Sequence, residues 1–195
     1  MTAPSTSNLA HWPKTELRRH LINQRQQLPQ PLWRQNSDRI CAHLLNWDYF
    51  HQCRVILSYS SFRQEPDLSP LAHHHGDWGL PRCVDRTLHW HLWSLQSPWP
   101  LNQGAYGILE PHPQSPLIDV TLVDLILVPA VACDRRGYRL GYGAGYYDRL
   151  LSQPPWNAIP TLGIVFDYAH LGIIPQDSWD CPLQGVCSEA GLFFP

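Results

Sequence analysis

Residues 123–151 change from an apolar strand to a glycine-rich loop and then to the start of a helix. The segment VDLILVPA is an almost continuous apolar run, which is typical of a strand buried on both faces. Gly141, Gly143 and Gly145 then alternate with other residues, and Tyr146 begins a helical pattern. A strand buried on both faces needs covering elements above and below it, so this segment favours a layered α/β fold.

The remainder of the chain repeats this alternation of apolar strands and amphipathic helices. Helices are predicted at residues 13–28, 31–46, 69–75 and 146–151. Strands are predicted at residues 54–60, 78–81, 87–93, 123–130, 159–166 and 191–194. The pattern predicts a mainly parallel sheet flanked by helices, in a Rossmann-like three-layer α/β sandwich. We expect a flexible tail over residues 1–12 and a single catalytic domain over residues 13–195.

Three loops follow the predicted strands that end at residues 60, 130 and 166. In open α/β sheets, ligands bind beyond the carboxyl ends of the strands. Ser60 ends the first of these strands, and Glu65 lies five residues further along. We therefore expect both residues at the ligand-binding edge of the sheet.

The first predicted helix carries a stripe of cations beside an apolar stripe. At 100° per residue, Lys14, Arg18 and Arg25 lie within about 40° of each other, next to Leu17 and Leu21. The apolar stripe is expected to pack on the core, so the cations would line one edge of a cleft. We predict that Lys14 and Arg18 contact phosphate. The role of Arg25 stays open between a phosphate contact and a solvated surface charge.

Charge and cysteine usage exclude several other functions. The formal net charge is −2, which argues against a nucleic-acid-binding surface, and no stretch of about 18 apolar residues predicts a membrane span. Residues 1–12 lack the apolar segment of a signal peptide. The six cysteines form no Cys-x-x-Cys pair, so they are interpreted as reduced thiols of a cytoplasmic protein rather than zinc ligands.

The glycine-rich loop has the features of a site for a magnesium-bound nucleotide. Glycines allow the backbone to approach a ligand closely, and free amides at a helix start favour phosphate. Arg139 adds a permanent cation, and Asp148 in the first helical turn adds a carboxylate suited to Mg²⁺. Alternating glycines alone would equally make a tight turn, and neither common nucleotide-binding fingerprint is present. The flanking Arg139 and Asp148 favour the nucleotide interpretation.

The segment from Asp124 to Arg149 closely resembles the motif of 5-formyltetrahydrofolate cyclo-ligases. It reads D-x-x-x-V-P-x-x-x-x-D-x-x-G-x-R-L-G-x-G-x-G-Y-Y-D-R, and weaker similarity extends over most of the chain. The resemblance implies an enzyme that uses ATP to cyclise 5-formyltetrahydrofolate to 5,10-methenyltetrahydrofolate, with release of ADP and phosphate. It implies phosphoryl activation of the formyl oxygen, with Mg²⁺ as the cofactor.

The same resemblance assigns roles to individual residues. Lys14 and Arg139 are predicted to be catalytic. Ser60, Glu65 and Tyr106, the last within the segment YGILEP, are predicted to bind the folate, and Asp148 and Asp180 to bind the metal. The predicted ATP-binding residues are Lys14, Arg18, Arg139, Gly141, Tyr142, Gly143, Ala144, Gly145, Tyr146 and Tyr147.

Two other classes of function remain open from the residues alone. One is another α/β enzyme with an anion-binding glycine loop, of the sugar-phosphate isomerase or CoA-transferase type. The other is a non-catalytic binder of folate or nucleotide. In each case we expect a monomer whose partners are small molecules, with no nucleic acid or membrane among them.

Overall fold

The computed structural model describes residues 11–74 and 76–195. Its helices are α1 (Lys14–Gln26), α2 (Gln30–Leu45), α3 (Asp48–Gln52) and α4 (Tyr146–Leu151). Its strands are β1 (Val55–Leu57), β2 (Asp77–Val84), β3 (Thr87–Leu92), β4 (Asn102–Gln103), β5 (Leu109–Glu110), β6 (Leu125–Pro129), β7 (Ala132–Asp134), β8 (Arg139–Leu140), β9 (Thr161–Ile164), β10 (His170–Leu171), β11 (Gly185–Ser188) and β12 (Gly191–Phe193).

Seven strands form the central sheet in the order β12-β11-β9-β6-β1-β2-β3. The five inner strands pair in parallel, and each edge is closed by an antiparallel partner, β12 on one side and β3 on the other. The predicted mainly parallel sheet is therefore confirmed. Because the carboxyl ends of the inner strands share one edge, the loops that follow β1 and β6 open on the same side of the sheet.

Helices cover both faces of this sheet. In β1, the side chains of Val55 and Leu57 join an apolar cluster with Leu17 of α1, while Ile56 joins a second cluster with Ile40 of α2. Alternate residues of a strand point to opposite faces, so the two clusters are the two cores of a three-layer sandwich. This confirms the predicted architecture and fixes α1, with its cations, over one face.

Prolines set the ends of the first two helices close to the predicted positions. Pro13 and Pro29 both have extended backbone angles at the residue before a helix, where their missing amide costs no helical hydrogen bond. Pro31 lies in the first turn of α2. The predicted boundaries of α1 and α2 thus differ from the observed ones by one or two residues.

Several elements were not predicted. Helix α3 and strand β11 are short, and β7, β8 and β10 form a separate small sheet whose strands have two or three residues. The helix predicted at residues 69–75 is a 3₁₀ turn over Ser69–His73, and position 75 lies outside the described residues. Segments this short carry too little periodicity to identify from sequence.

Most of the predicted tail, residues 1–10, also lies outside the described residues. Trp12 is described, and its ring packs edge-on against His20 with the ring centroids 5.2 Å apart. All six cysteines are free thiols. Within the described part of the chain, no helix is long and apolar enough to cross a membrane.

Candidate active site

A cleft of about 740 Å³ opens at the carboxyl ends of β1 and β6. Every residue predicted above to bind ATP, folate or metal lines this cleft. The third predicted loop, after residue 166, does not. Asp167 there donates its amide to Oε2 of Glu189, away from the cleft. The segment that lines the cleft lies further along the chain and includes Asp177 and Asp180.

The glycine loop forms the floor of one half of the cleft. Gly143 and Gly145 have φ angles of +100° and +67°, a conformation that other residues adopt at a cost. Arg18 of α1 donates from Nε to the carbonyl of Gly141 at 2.6 Å, and Arg149 donates to the carbonyl of Ala144 at 2.9 Å. Helix α4 has only six residues, so its dipole is weaker than the sequence interpretation assumed. The amides of the glycine loop are therefore the stronger hydrogen-bond donors for an anion.

Arg139 links the glycine loop to the late loop at residues 177–181. Its side chain is 4% exposed. One terminal nitrogen donates to Oδ1 of Asp148 at 2.5 Å, and the other donates to the carbonyl of Cys181 at 2.8 Å. The predicted phosphate-binding cation is thus held directly beside a predicted metal ligand.

Lys14 makes a second ion pair with the same late loop. Its Nζ lies 2.6 Å from Oδ2 of Asp177 and 2.6 Å from Oδ2 of Asp180. The amide of Asp177 also donates to Oδ2 of Asp180 at 2.7 Å, which fixes the turn between the two acids. Helix α1 and the late loop are therefore joined by an ion-pair cluster at the mouth of the cleft.

The donor set of the cleft suits a magnesium ion that also contacts phosphate. Mg²⁺ in nucleotide sites uses one or two protein carboxylates, with substrate phosphates and water completing its shell. Asp148 and Asp180 both line the cleft and offer such oxygens. No group of three or more potential metal ligands occurs among the described residues, so a site made of protein ligands alone is not built here.

Glu65 lies on the other side of the cleft, in the loop after β1. It is 3% exposed, and its Oε2 accepts a hydrogen bond from the amide of Phe62 at 3.1 Å. Its Oε1 is buried and has no hydrogen-bond partner among the described residues. Burial raises the pKa of Glu65 to about 7, although the charge of Arg25, the Phe62 amide and the nearby Tyr142 hydroxyl lower it. An unpartnered carboxylate oxygen facing a cleft is well suited to accept hydrogen bonds from a ligand.

Other hydroxyl groups surround the same space. Tyr106 lies at the tip of the β4–β5 hairpin. It has a φ of +67° and is 62% exposed. Its hydroxyl lies 3.3 Å from that of Tyr146, which also donates to the carbonyl of Asp85. The hydroxyls of Ser60 and Tyr147 are buried, with no hydrogen-bond partner among the described residues. They remain available to a ligand.

Sequence reasoning did not single out Asp177 or Trp179, which line the cleft, and did not anticipate the position of Arg25. Asp177 shares Lys14 with Asp180, and Trp179, between them, is 67% exposed at the mouth. Their positions, three residues and one residue before the predicted Asp180, were the available signal. Arg25 is neither solvated nor aimed at the cleft: it is 3% exposed and donates to the hydroxyl of Tyr142. The interpretation of Arg25 as a solvated surface charge is therefore wrong, and Arg25 is not among the residues that line the cleft.

Comparisons with known proteins identify the family of this chain. A model of the 5-formyltetrahydrofolate cyclo-ligase family matches residues 11–189. The chain belongs to this family. A cyclo-ligase of this name from Haemophilus influenzae is 28% identical over 158 residues, covering 78% of this chain and 84% of that protein.

Solved structures extend the comparison to the fold. The 5,10-methenyltetrahydrofolate synthetase of Aquifex aeolicus superimposes with a TM-score of 0.81 and 30% identity, covering 93% of this cyclo-ligase and 92% of that chain. The synthetase of Mycoplasma pneumoniae has a TM-score of 0.72 at 19% identity, covering 91% and 99% of the two chains, which shows the shared fold. The family assignment does not favour the isomerase, CoA-transferase or non-catalytic alternatives.

Much of the family motif in this cyclo-ligase builds the scaffold rather than the cleft. Asp124 accepts hydrogen bonds from the amides of residues 54 and 55, which fixes the start of β1 beside β6. Asp134 is fully buried and accepts from the amides of Arg136, Tyr138 and Ile174. These two carboxylates satisfy buried backbone donors, so they hold the strands from which the glycine loop projects.

Proposed function

We propose that this cyclo-ligase binds Mg·ATP and 5-formyltetrahydrofolate side by side in the 740 Å³ cleft. The reaction joins them to give 5,10-methenyltetrahydrofolate, ADP and phosphate. A formamide oxygen is a poor leaving group, and transfer of the γ-phosphoryl group to it makes it a good one. The neighbouring N10 then attacks the activated carbon and the ring closes. N10 loses its proton, and phosphate leaves with the former formyl oxygen and takes up that proton.

Lys14, Arg18, Arg139 and the glycine-loop amides are proposed to hold the phosphates. In-line phosphoryl transfer needs positioning and neutralisation of charge rather than a covalent protein nucleophile. Arg18 is anchored to the Gly141 carbonyl and Arg139 to the Cys181 carbonyl, so both cations are fixed before substrate binds. Fixed donors cost little reorganisation in the transition state.

Asp148 and Asp180 would hold Mg²⁺, which when bound neutralises charge on the β- and γ-phosphates. In the structure these carboxylates are paired with Arg139 and Lys14. Binding of Mg·ATP would therefore exchange partners, with the cations turning to phosphate. Each charged side chain keeps a partner of opposite sign, which limits the desolvation cost.

Glu65, Ser60 and Tyr106 are proposed to orient the folate. Reduced pterins offer ring N–H and amino donors, and an ionised carboxylate accepts such bonds strongly. The free Oε1 of Glu65 is the atom proposed to accept them. Glu65 is not assigned as a general base for the phosphoryl transfer, because the formyl oxygen that attacks phosphorus carries no proton.

The observation that carries this proposal is that the glycine loop and Glu65 face one cleft, on neighbouring loops of a parallel sheet. The test measures methenyl absorbance and released phosphate for the purified chain with 5-formyltetrahydrofolate. We expect one phosphate per methenyl product, and neither product when ATP or Mg²⁺ is omitted. Methenyl formation without ATP, or phosphate release without folate at the same rate, would contradict it.

We further propose that residues 13–195 act as one catalytic domain, as a monomer in the cytoplasm. The six free thiols support a reducing compartment. One cleft within one chain contains both halves of the proposed site, which supports a monomer. Light scattering of the purified chain during the activity assay tests the oligomeric state.

A further inference from the structure

Arg25 is a buried cation in the last turn of α1 that contacts both the loop carrying Glu65 and the glycine loop. Its Nε donates to the carbonyl of Arg63 at 3.0 Å, and one terminal nitrogen donates to the carbonyl of Ala130 at 3.4 Å. The other terminal nitrogen donates to the hydroxyl of Tyr142. A guanidinium stays protonated, so burying it is costly unless it is paired and hydrogen-bonded.

These contacts join three separate segments of the chain. Arg63 lies in the loop that carries Glu65, Ala130 follows the carboxyl end of β6, and Tyr142 lies in the glycine loop. Arg25 is thus the side chain that connects the proposed folate side of the cleft with the proposed nucleotide side. Its planar fork of donors matches this divergent set of acceptors better than a lysine would.

The loop with Glu65 needs such support because its backbone is strained. Arg63 and Gln64 have φ angles of +48° and +56°, and neither is glycine. Each left-handed residue of this kind is unfavourable by itself and persists only where the surroundings hold it. The hydrogen bond from Arg25 to the Arg63 carbonyl holds this strained pair. Hydrogen bonds from Ser61 and Trp33 to the Glu65 carbonyl hold the next part of the loop.

Arg25 also supplies the positive charge nearest to Glu65. Its terminal nitrogen lies 3.9 Å from Oε1 of Glu65, the oxygen that has no hydrogen-bond partner among the described residues. At this distance the charge attracts the carboxylate without occupying its oxygen. Other groups around Glu65 are hydroxyls, those of Tyr59, Tyr142 and Tyr147, which carry no charge at neutral pH.

We propose that Arg25 is a positioning residue: it fixes the loop at residues 61–65 against the glycine loop and favours the ionised form of Glu65, with one oxygen free for the folate. This proposal rests on the function proposed above. It assigns Arg25 no contact with substrate, and its effect on folate binding is exerted through Glu65. Without the cation, burial alone would favour the protonated carboxyl, and the folate would lose its acceptor in the neutral range.

The test is a double-mutant cycle on folate affinity, measured by calorimetry at pH 6.5 and 8.5. Arg25→Met should weaken 5-formyltetrahydrofolate binding by about tenfold or more at pH 6.5 and by less at pH 8.5, because Glu65 ionises as pH rises. In the Glu65→Gln background the same change should have little effect, because the group through which it acts is gone. Arg19→Met, at an exposed position of the same helix, is the matched control and should match the wild type.

Equal losses in both backgrounds, or a loss that is the same at both pH values, would overturn the proposal and leave Arg25 as a general stabiliser of the fold. If Arg25→Met does not unfold cooperatively, Arg25→Lys replaces it. That variant keeps the charge but loses the fork, so we expect a smaller loss, again confined to chains with Glu65. Methenyl formation by the wild type is measured in parallel. If it is absent, the proposed function fails, whereas an additive cycle with an active wild type contradicts only the role of Arg25.

Discussion

Arg139 donates a 2.5 Å hydrogen bond to Oδ1 of Asp148, so the cation predicted to bind phosphate is paired with the carboxylate predicted to bind metal. Lys14 and Asp180 repeat this arrangement at 2.6 Å. The proposed site is thus electrostatically balanced before ligand binds. A phosphate without its metal would meet both carboxylates, so nucleotide and magnesium should bind together.

Asp148→Asn should raise the Mg²⁺ concentration needed for half-maximal turnover by about tenfold or more at fixed ATP. The amide keeps the size of the side chain and one acceptor for Arg139, but it removes the charge that attracts the metal. Magnesium titrations of methenyl formation measure the effect. Asp77→Asn, at an exposed position where β2 begins, is the control. An unchanged magnesium requirement would remove Asp148 from the metal site.

Lys14→Met should reduce turnover by about 10²–10³-fold and weaken ATP binding more than folate binding. The change removes a cation from the phosphate side and leaves Asp177 and Asp180 facing each other without their shared partner. Calorimetry with each substrate separately distinguishes the two sides of the cleft. If ATP affinity and turnover both stay at wild-type levels, Lys14 is a structural ion-pair partner only.

Gly145→Ala should lower the melting temperature by roughly 2–8 °C, whereas Gly141→Ala should leave it unchanged. Gly145 has a φ of +67°, and an added Cβ would lie 2.8 Å from a guanidinium nitrogen of Arg149. At Gly141, φ is not in the left-handed region and no atom lies within 4 Å of an added Cβ. Thermal denaturation of both variants provides the comparison. Equal melting temperatures would show that the loop tolerates the strain.

The layered fold was predictable because it depends on long apolar runs and helical periodicity. The strand VDLILVPA and the amphipathic pattern of α1 each extend over two or more turns or pleats, which is enough to identify them. The four residues of β11, GVCS, have no such pattern, although β11 is buried between β9 and β12. Its place in the sheet depends on tertiary contacts.

The partners of the site residues were not predictable for a different reason. Lys14 and Asp180 are 166 positions apart, so only the folded sheet brings them to 2.6 Å. Helical periodicity placed Arg25 on the same stripe as Lys14 and Arg18 and predicted a similar environment for all three. The loops at residues 61–65 and 141–145 close over the last turn of α1, so Arg25 is buried while Lys14 stays accessible.

Glu65→Gln should stabilise the protein at neutral pH while weakening folate binding. Burial raises the pKa of Glu65 from its ordinary value of 4.5 to about 7. Between these values the unfolded chain has lost the proton that the folded chain retains, so the free energy of unfolding falls as pH rises. The loss is on the order of 3 kcal/mol by pH 8. Glutamine does not titrate, so the free energy of unfolding of the variant should rise relative to that of the wild type across this range.

Urea denaturation at pH 5 and pH 8 measures this difference directly. The two chains should be similar in stability at pH 5, and the variant should be the more stable at pH 8. Glu16→Gln, at an exposed position of α1, is the control and should follow the wild type at both pH values.

Folate affinity of Glu65→Gln should fall by about 10–100-fold, because a charged acceptor is replaced by a neutral one, while ATP affinity stays close to the wild type. Stability that is unchanged at pH 8 would mean that Glu65 is already ionised at no cost in the folded protein. Weakened ATP binding with intact folate binding would place Glu65 on the nucleotide side of the cleft.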